Sequence, residues 1–175
     1  MEIRIAGITK DSVVDGPGIR LVVFAQGCPH RCEGCHNPQT HDPNGGFLMD
    51  TDEIINIVSQ TKLIRGVTFS GGEPFLQVEP FSILAKAIRE QGYTIVTYTG
   101  FVFEELAAIA LRRPAVRRLL SNTDILVDGR YIAAERDLRL AFRGSRNQRL
   151  IDVPRSLAAG QTILWEKVAA ASNWG

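Results

Sequence analysis

Short apolar runs rich in β-branched and aromatic residues recur along the chain. They cover residues 19–26, 66–69, 94–98 and 124–127, and a further run lies at residues 149–152. Runs of this length and composition predict buried β-strands, because branched side chains pack well on a pleated surface. The sequence therefore predicts strands at these five places.

Between the first two runs, the spacing of apolar residues changes to that of a helix. Asp50 and Glu53 form a capping-box pattern, in which two side chains satisfy the first free N–H groups of a helix. Ile54, Ile57 and Val58 follow at positions that share one helical face. A helix that begins just after Asp50 is therefore predicted.

Two more helices are predicted farther along. Residues 80–90 carry apolar side chains at helical spacing, and Gly92 is the expected stop because glycine readily adopts the left-handed conformation after a last turn. Residues 103–112 show the same spacing, and Pro114 is expected to end that helix. Beyond Pro154 the pattern is too weak to assign an element.

Strands that alternate with helices of this length predict right-handed crossovers and a mostly parallel, curved sheet. The fold class is therefore α/β, and the periodicity leaves both a partial barrel and a doubly wound sheet open. A chain of 175 residues has the length of one compact domain, so we expect a single domain over residues 1–175.

The composition is that of an ordinary globular protein, with 45% hydrophobic and 22% charged residues. A formal net charge of +1 creates no overall field that would attract nucleic acid or an anionic membrane. No stretch approaches the ~20 apolar residues of a membrane span, and the first residues do not resemble a signal peptide. We therefore expect a cytoplasmic protein that binds neither nucleic acid nor membrane.

All three cysteines of the chain lie in one short segment that follows the first apolar run. Cys28, Cys32 and Cys35 form a C-x3-C-x2-C array. An odd, clustered set is a poor disulfide framework and indicates metal binding or catalysis. Iron-sulfur clusters normally have four cysteine ligands, so three would leave one iron open to a further ligand. A structural zinc site with His36 or His30 as the fourth ligand is the alternative.

Several polar or glycine-rich segments follow directly after predicted strands. They are residues 28–35, 70–74, 98–100 and 128–129. Because the carboxyl ends of parallel strands meet at one edge of a sheet, and α/β folds gather their active sites there, we expect these loops to converge.

These motifs resemble those of the radical S-adenosylmethionine superfamily. The cysteine array is followed by Ser-Gly-Gly-Glu-Pro at residues 70–74, as in that superfamily. Asp-Gly-Pro-Gly-Ile-Arg at residues 15–20 is similar to the activating enzymes of glycyl-radical proteins. Gly27 and His36–Asn37 agree with that similarity. Further segments are similar to the activators of anaerobic ribonucleotide reductases, and they are residues 98–100, 104–106, 126–129 and 142–149. The resemblance spans about residues 12–153.

The resemblance implies a partial, open (βα) barrel that holds a [4Fe-4S] cluster through Cys28, Cys32 and Cys35. It implies that S-adenosylmethionine binds the open iron and is cleaved by the reduced cluster. The resulting 5'-deoxyadenosyl radical would take a hydrogen atom from a backbone glycine of an anaerobic ribonucleotide reductase, the implied partner. The electron would come from a low-potential donor such as flavodoxin or ferredoxin.

The implied contacts with S-adenosylmethionine lie in two loops. The candidate residues are Gly34, Cys35, His36, Gly71, Gly72 and Glu73. Glycines lack a Cβ, so backbone can approach a ligand closely, and carbonyls or the Glu73 carboxylate can accept hydrogen bonds from the cofactor's ammonium. We expect Gly72, more than Glu73, to make the direct contact. No catalytic side chain is expected beyond the cluster and the cofactor.

One position departs from the superfamily pattern. An aromatic or other apolar residue usually precedes the third cysteine, whereas this chain has Gly34. Adenine contacts would then come from another residue or from backbone. Other functions stay open, and they are activation of a different glycyl-radical enzyme, a small-molecule radical enzyme such as carboxy-deazaguanine synthase, and a non-enzymatic iron-sulfur electron carrier.

The remaining polar residues have ordinary interpretations beside functional ones. His30 and His41 are expected to be solvated loop residues, and residues 15–18 are equally well interpreted as a tight turn. Arg112, Arg113, Arg117 and Arg118 are expected to form a solvated face, with a partner-docking surface as the alternative. Asp128, Arg143, Asn147 and Gln148 could contact the cofactor or form a loop network.

Overall fold

The computed structural model describes residues 1–166, which form an alternating series of strands and helices. The elements are β1 (Glu2–Ser12), β2 (Arg20–Ala25), β3 (Phe47–Asp50), α1 (Thr51–Gln60), β4 (Gly66–Gly71), α2 (Val78–Glu90), β5 (Thr94–Tyr98), α3 (Phe103–Ala110), α4 (Pro114–Ser121), β6 (Ile125–Asp128), β7 (Arg149–Asp152) and α5 (Val153–Ala159). Short 3-10 turns lie at Pro38–Thr40, Pro74–Gln77 and Ala133–Glu135.

The strands form one open sheet in the order β3-β1-β2-β4-β5-β6-β7. The central strands β2, β4, β5 and β6 are parallel, whereas β1, β3 and β7 pair antiparallel with their neighbours. Within residues 1–166 the edge strands β3 and β7 do not pair with each other, so the sheet does not close. The predicted α/β fold, a partial and open (βα) barrel with a mostly parallel sheet, is confirmed.

The helices cover one face of the sheet and form the main core with it. Side chains alternate between the two faces of a strand, so every second strand residue points toward the helices. These strand residues are Ile3, Ile5, Leu21, Val23, Val67, Phe69, Ile95 and Leu126. The matching helix residues are Ile54, Val58, Phe81, Leu84, Ile88, Phe103, Leu106, Val116 and Leu119. All are less than a tenth exposed.

Most of the predicted elements are confirmed. The five predicted strands correspond to β2, β4, β5, β6 and β7; the bounds of β5 and β7 agree with the prediction, and the ends of the other three differ by at most two residues. Asp50 caps α1 by accepting from the Asp52 N–H at 2.8 Å. Gly92 follows α2 with a φ of 86°, as expected for the residue after a helix end.

The prediction for Pro114 is incomplete. The third helix ends at Ala110, and Pro114 occupies the first turn of a separate helix, α4. Proline suits that position because its missing N–H has no partner in the first turn and its φ is already helical. The structure also contains β1, β3 and α5, which the sequence pattern did not identify.

No helix in residues 1–166 is both long and apolar enough to span a membrane. This agrees with the absence of a membrane-length apolar run in the sequence.

Candidate functional site

The cysteine-bearing loop follows β2 at the carboxyl edge of the parallel strands. Cys28, Cys32 and Cys35 are half-buried free thiols. The base of the loop is closed by main-chain hydrogen bonds, from Gly27 N–H to the Thr40 carbonyl at 2.8 Å and from Cys28 N–H to the His41 carbonyl at 3.2 Å. The three thiols are therefore presented by one loop whose two ends are fixed.

Main-chain N–H groups point at two of these sulfurs. Asn37 N–H donates to Cys35 Sγ at 3.4 Å. Burial raises the pKa of the Cys28 thiol, and the N–H groups of His30 and Arg31 partly offset that rise. Hydrogen bonds to cysteine sulfur are one of the means by which proteins set the potential of an iron-sulfur cluster. The donor set and its surroundings therefore fit a cluster held by thiolates.

A structural zinc is the alternative occupant of this loop. Within residues 1–166, no group of three or more His, Cys, Asp or Glu side chains converges closely enough to hold one ion. A structural zinc needs four ligands within about 2.3 Å of one point. In an iron-sulfur cube each thiolate binds a different iron, so wider spacing of the thiols is no obstacle.

The loop after β4 is attached directly to the cysteine-bearing loop. Gly72 N–H donates to the Ala25 carbonyl and Glu73 N–H donates to the Gly27 carbonyl, both at 2.8 Å. A Cβ on Gly72 would lie 2.3 Å from the Gly27 oxygen, and one on Gly71 would lie 2.8 Å from Phe24 Cα. Both glycines therefore have a packing role, since protein backbone occupies the space where a side chain would be.

The prediction that His30 is a solvated loop residue is wrong, whereas His41 is a half-buried loop residue. The His30 side chain is 5% exposed and contacts the fully buried Glu73 carboxylate. His41 Nε2 is also buried, and it has no hydrogen-bond partner within residues 1–166. The sequence gave no indication that His30 is buried, because its partner Glu73 lies 43 positions away.

Asp128 lies at the end of β6, close to the same edge, and is 1% exposed. Its carboxylate accepts from Phe103 N–H at 2.8 Å, at the start of α3, and from the Arg149 guanidinium at 2.5 Å. The hydrogen bonds to Asp128 and Glu104 raise the pKa of Arg149, so the guanidinium stays charged. Asp128 thus joins α3 to β7.

The polar residues between β6 and β7 form a loop network. Arg143 donates to the Gln148 carbonyl at 2.7 Å, and the Gln148 amide donates to the Gly129 carbonyl at 3.0 Å. Asn147 donates to the Arg130 carbonyl at 2.8 Å. These bonds connect the two ends of the excursion over residues 129–148, so the loop-network interpretation accounts for all three side chains.

Arg20 ends the motif at residues 15–20, and the sequence did not reveal that its side chain is buried. Its guanidinium is 1% exposed and donates to the Thr68 hydroxyl at 2.7 Å, the Val67 carbonyl at 2.7 Å and the Pro17 carbonyl at 3.2 Å. Burial lowers its pKa to about 10, so it remains protonated at neutral pH. Arg20 therefore fastens the turn before β2 to the sheet. A charged residue that opens an apolar run was the available signal.

That turn needs glycine at two positions. Gly16 has a φ of 132° and Gly18 a φ of 75°, and a Cβ on Gly16 would lie 2.8 Å from Arg20 Cδ. Residues 15–18 are thus a turn pressed against the Arg20 side chain, which supports the turn interpretation.

Two open cavities flank the cysteine-bearing loop. The first, about 330 Å³, has His30, Gly100, Asp128 and Arg130 on its wall. The second, about 430 Å³, is lined by Asp15, His36, Tyr98, Phe142 and apolar residues that include Val13. Gly34, with a φ of 71°, and His36 are exposed, and the His36 ring lies 5.0 Å from that of Tyr131. Of the predicted cofactor residues, His36 therefore lines the second cavity and Gly34 is exposed, whereas Gly71, Gly72 and the buried Glu73 line neither cavity.

Comparisons with known proteins place the chain in a family. Residues 14–151 match the family model described as a 4Fe-4S single cluster domain. The anaerobic ribonucleoside-triphosphate reductase-activating protein of Escherichia coli K12 is 35% identical over 144 residues, which cover 78% of this chain and 90% of that protein. The Haemophilus influenzae protein of the same name is 33% identical, with coverage of 78% and 89%. The chain belongs to this family of reductase-activating proteins.

The chain is also similar to an activating enzyme with a different name. The pyruvate formate-lyase-activating enzyme of Clostridium pasteurianum is 42% identical over 109 residues, which are 56% of this chain and 44% of that enzyme. The family model carries a single [4Fe-4S] cluster, and the three cysteines, all between residues 28 and 35, fall inside the matched range.

Proposed function

We propose that this protein activates an anaerobic ribonucleotide reductase by forming a glycyl radical on it. The observation that carries the proposal is the loop at the carboxyl edge of the sheet, where the only three cysteines of the chain lie beside the Gly71–Gly72 loop. The names of the relatives, which cover most of the chain, support the same activity.

The cofactors are a [4Fe-4S] cluster and S-adenosylmethionine. Cys28, Cys32 and Cys35 would hold the cluster, whose fourth iron is left for the methionine part of S-adenosylmethionine. When bound, this pair supplies a 5'-deoxyadenosyl radical through one-electron cleavage of the sulfonium. The protein's task is to bind and orient these groups.

Different residues around the cysteines would bind different parts of S-adenosylmethionine. Backbone groups of Gly34, Cys35 and His36 would contact the adenine, and backbone of Gly71 and Gly72 would receive the ammonium of the methionine part. His36 lines the larger cavity, and a main-chain hydrogen bond fixes Gly72 to Ala25 of β2. Hydrogen bonds from an ammonium to fixed carbonyls are charge-assisted and would orient the cofactor.

The partners follow from the reaction. The substrate is a backbone glycine of the reductase, and the electron comes from a low-potential donor such as flavodoxin or ferredoxin. A formal net charge of +1 creates no overall field that would attract nucleic acid.

Activation of a different glycyl-radical enzyme is the second candidate. The match to the pyruvate formate-lyase-activating enzyme favours it, although that match covers less of both chains. Both candidates use the same cofactors and differ in the partner.

The test uses anaerobically reconstituted protein. Reduced protein mixed with S-adenosylmethionine should release 5'-deoxyadenosine, and addition of the anaerobic reductase should produce a glycyl doublet in the electron paramagnetic resonance spectrum. No 5'-deoxyadenosine in the presence of a strong reductant would overturn both candidates. A doublet with pyruvate formate-lyase but not with the reductase would select the second.

A further inference from the structure

The Glu73 carboxylate joins three of the loops at the carboxyl edge of the sheet. Its Oε2 lies 2.9 Å from His30 Nε2 and accepts from Gly100 N–H at 2.9 Å. Its Oε1 accepts from Phe75 N–H and from the Thr99 hydroxyl, both at 3.0 Å. A carboxylate offers about four acceptor positions on its two oxygens. Four protein partners therefore occupy the acceptor capacity of this fully buried group.

The His30 ring is fixed from more than one side. It lies edge-on to Phe101, with ring centroids 4.7 Å apart. Gly100 leaves the ring its space, because a Cβ there would lie 2.3 Å from His30 Cδ2. His30 stands midway between Cys28 and Cys32, so its position determines the path of the chain between the first two thiols.

The pair extends the attachment between the two loops. Main-chain hydrogen bonds already tie Gly72 and Glu73 to Ala25 and Gly27, at the base of the cysteine-bearing loop. The contact between Glu73 and His30 holds the same loop three residues farther along, where no strand or helix constrains it.

We propose that His30 and Glu73 are positioning residues that hold the cysteine-bearing loop in a cluster-ready conformation. Glu73 acts through His30 and through the loop that contains Thr99 and Gly100, and its carboxylate receives protein donors instead of the ammonium of S-adenosylmethionine. This inference rests on the proposed function, and it separates the roles of Gly72 and Glu73 within the cofactor loop.

The first experiment follows amide hydrogen exchange in the cluster-free protein, where cofactor binding cannot contribute. The His30→Ala and Glu73→Gln variants should speed exchange at the Cys28 and Cys35 amides roughly tenfold to a hundredfold, as expected for loss of a buried hydrogen bond. The His30→Gln variant places an amide nitrogen near the Nε2 position and should restore most of the protection. Glu33→Gln, an exposed carboxylate in the same loop, is the matched control and should exchange like the wild type.

The second experiment measures iron content and the KM for S-adenosylmethionine after reconstitution. The His30→Ala and Glu73→Gln variants should each retain less iron and raise KM by similar factors. The double variant should retain as much iron, and have as low a KM, as the more strongly impaired of the two single variants, because both changes break the same contact. A direct ligand role for Glu73 predicts a different result, in which Glu73→Gln alone raises KM and His30→Ala behaves like Glu33→Gln. That result would overturn the inference.

Thermal unfolding of each variant shows whether it folds. If Glu73→Gln does not fold, the two His30 variants decide, and equal exchange in His30→Ala and His30→Gln would overturn the inference. The proposed function fails separately, if wild-type protein binds no iron or cleaves no S-adenosylmethionine. Exchange in the cluster-free protein still tests the pair in that case.

Discussion

The two faces of the sheet carry different kinds of side chain, although the same strands contribute to both. The face toward the helices is apolar, and its central residues are Leu21, Val23, Ala25, Val67, Phe69, Ile95 and Leu126. The opposite face mixes polar and apolar residues, and these are Arg20, Thr68, Tyr98, Val22, Val96 and Val127. Alternation of side chains along each strand produces this division.

The polar residues of the second face attach irregular segments to the sheet. Thr68 donates to the Asp15 carbonyl at 2.7 Å, and the Tyr98 hydroxyl donates to the Phe142 carbonyl at 2.6 Å. These segments line the larger cavity beside the cysteine-bearing loop. The comparison indicates that one face supplies most of the stability while the other positions the loops, so the two contributions should separate on mutation.

The largest effect is expected at the cysteines. Replacement of Cys28, Cys32 or Cys35 by Ala should abolish cluster binding and all cleavage of S-adenosylmethionine, because an iron would lose its protein ligand. The cluster-free protein should keep its unfolding midpoint nearly unchanged, since the thiols are only half-buried. Iron analysis, absorbance and calorimetry measure these quantities. Normal turnover by Cys32→Ala would contradict the assignment of the cluster ligands.

A change on the face of the sheet that packs against the helices should lower stability, whereas the cysteine variants should lose cluster binding without losing stability. Phe69 is fully buried and packs edge-on against Phe81, with ring centroids 4.9 Å apart. Phe69→Ala should lower the free energy of unfolding by about 3–5 kcal/mol, because it removes buried contacts and leaves a cavity. Denaturant unfolding of the cluster-free protein measures this loss.

The matched control for that change is Leu111→Ala, at a side chain that is 86% exposed. It should alter the free energy of unfolding by less than about 0.5 kcal/mol. If Phe69→Ala left stability intact but prevented cluster binding, the proposed division between the two faces would be wrong.

A smaller loss of stability is expected at Arg20, on the opposite face. Arg20→Met keeps much of the side-chain volume but leaves Thr68, Thr94 and the carbonyls of Pro17 and Val67 without their donor. Buried acceptors without partners should cost about 3 kcal/mol in total. Faster hydrogen exchange over residues 13–19 should accompany the loss. A variant with wild-type exchange there would show that Arg20 does not fasten the turn.

The central strands and helices could be predicted because their signals are local. Buried parallel strands appear as continuous apolar runs, and the helices have regular apolar spacing. The β1 strand was not predicted, and it contains an irregularity between Ile5 and Gly7 that interrupts its alternation. Pro114 was ambiguous because proline can follow one helix or begin the next.

The candidate site also contains some features that could be predicted from the sequence and others that could not. The cysteine array and the glycine loop are contiguous motifs, so their place after β2 and β4 could be predicted from sequence alone. The contact between His30 and Glu73 joins residues 43 positions apart, and its geometry depends on Gly100 after a third strand. Pairings of this kind depend on the strand order, which periodicity does not give.

The smallest effect is expected at Glu104, where an ion pair joins α3 to β7. Hydrogen bonds from Arg149 and then Thr162 lower the pKa of Glu104 from 4.5 to about 2. A carboxyl whose pKa is lower in the folded state contributes stability that is complete above pH 4.5 and is lost as the pH falls toward 2. Because the side chain is 55% exposed, solvent screening limits the contribution to less than about 1 kcal/mol.

Urea unfolding of wild type and Glu104→Gln at pH 7 and pH 3 measures this contribution. The difference between the two proteins should be present at pH 7 and shrink at pH 3, where Glu104 is protonated in the unfolded chain. Glu90→Gln is the control, since its exposed carboxylate lies 3.7 Å from Lys86 on α2 and should contribute less at either pH. An equal difference at both pH values would mean that Glu104 contributes through packing and not through its charge.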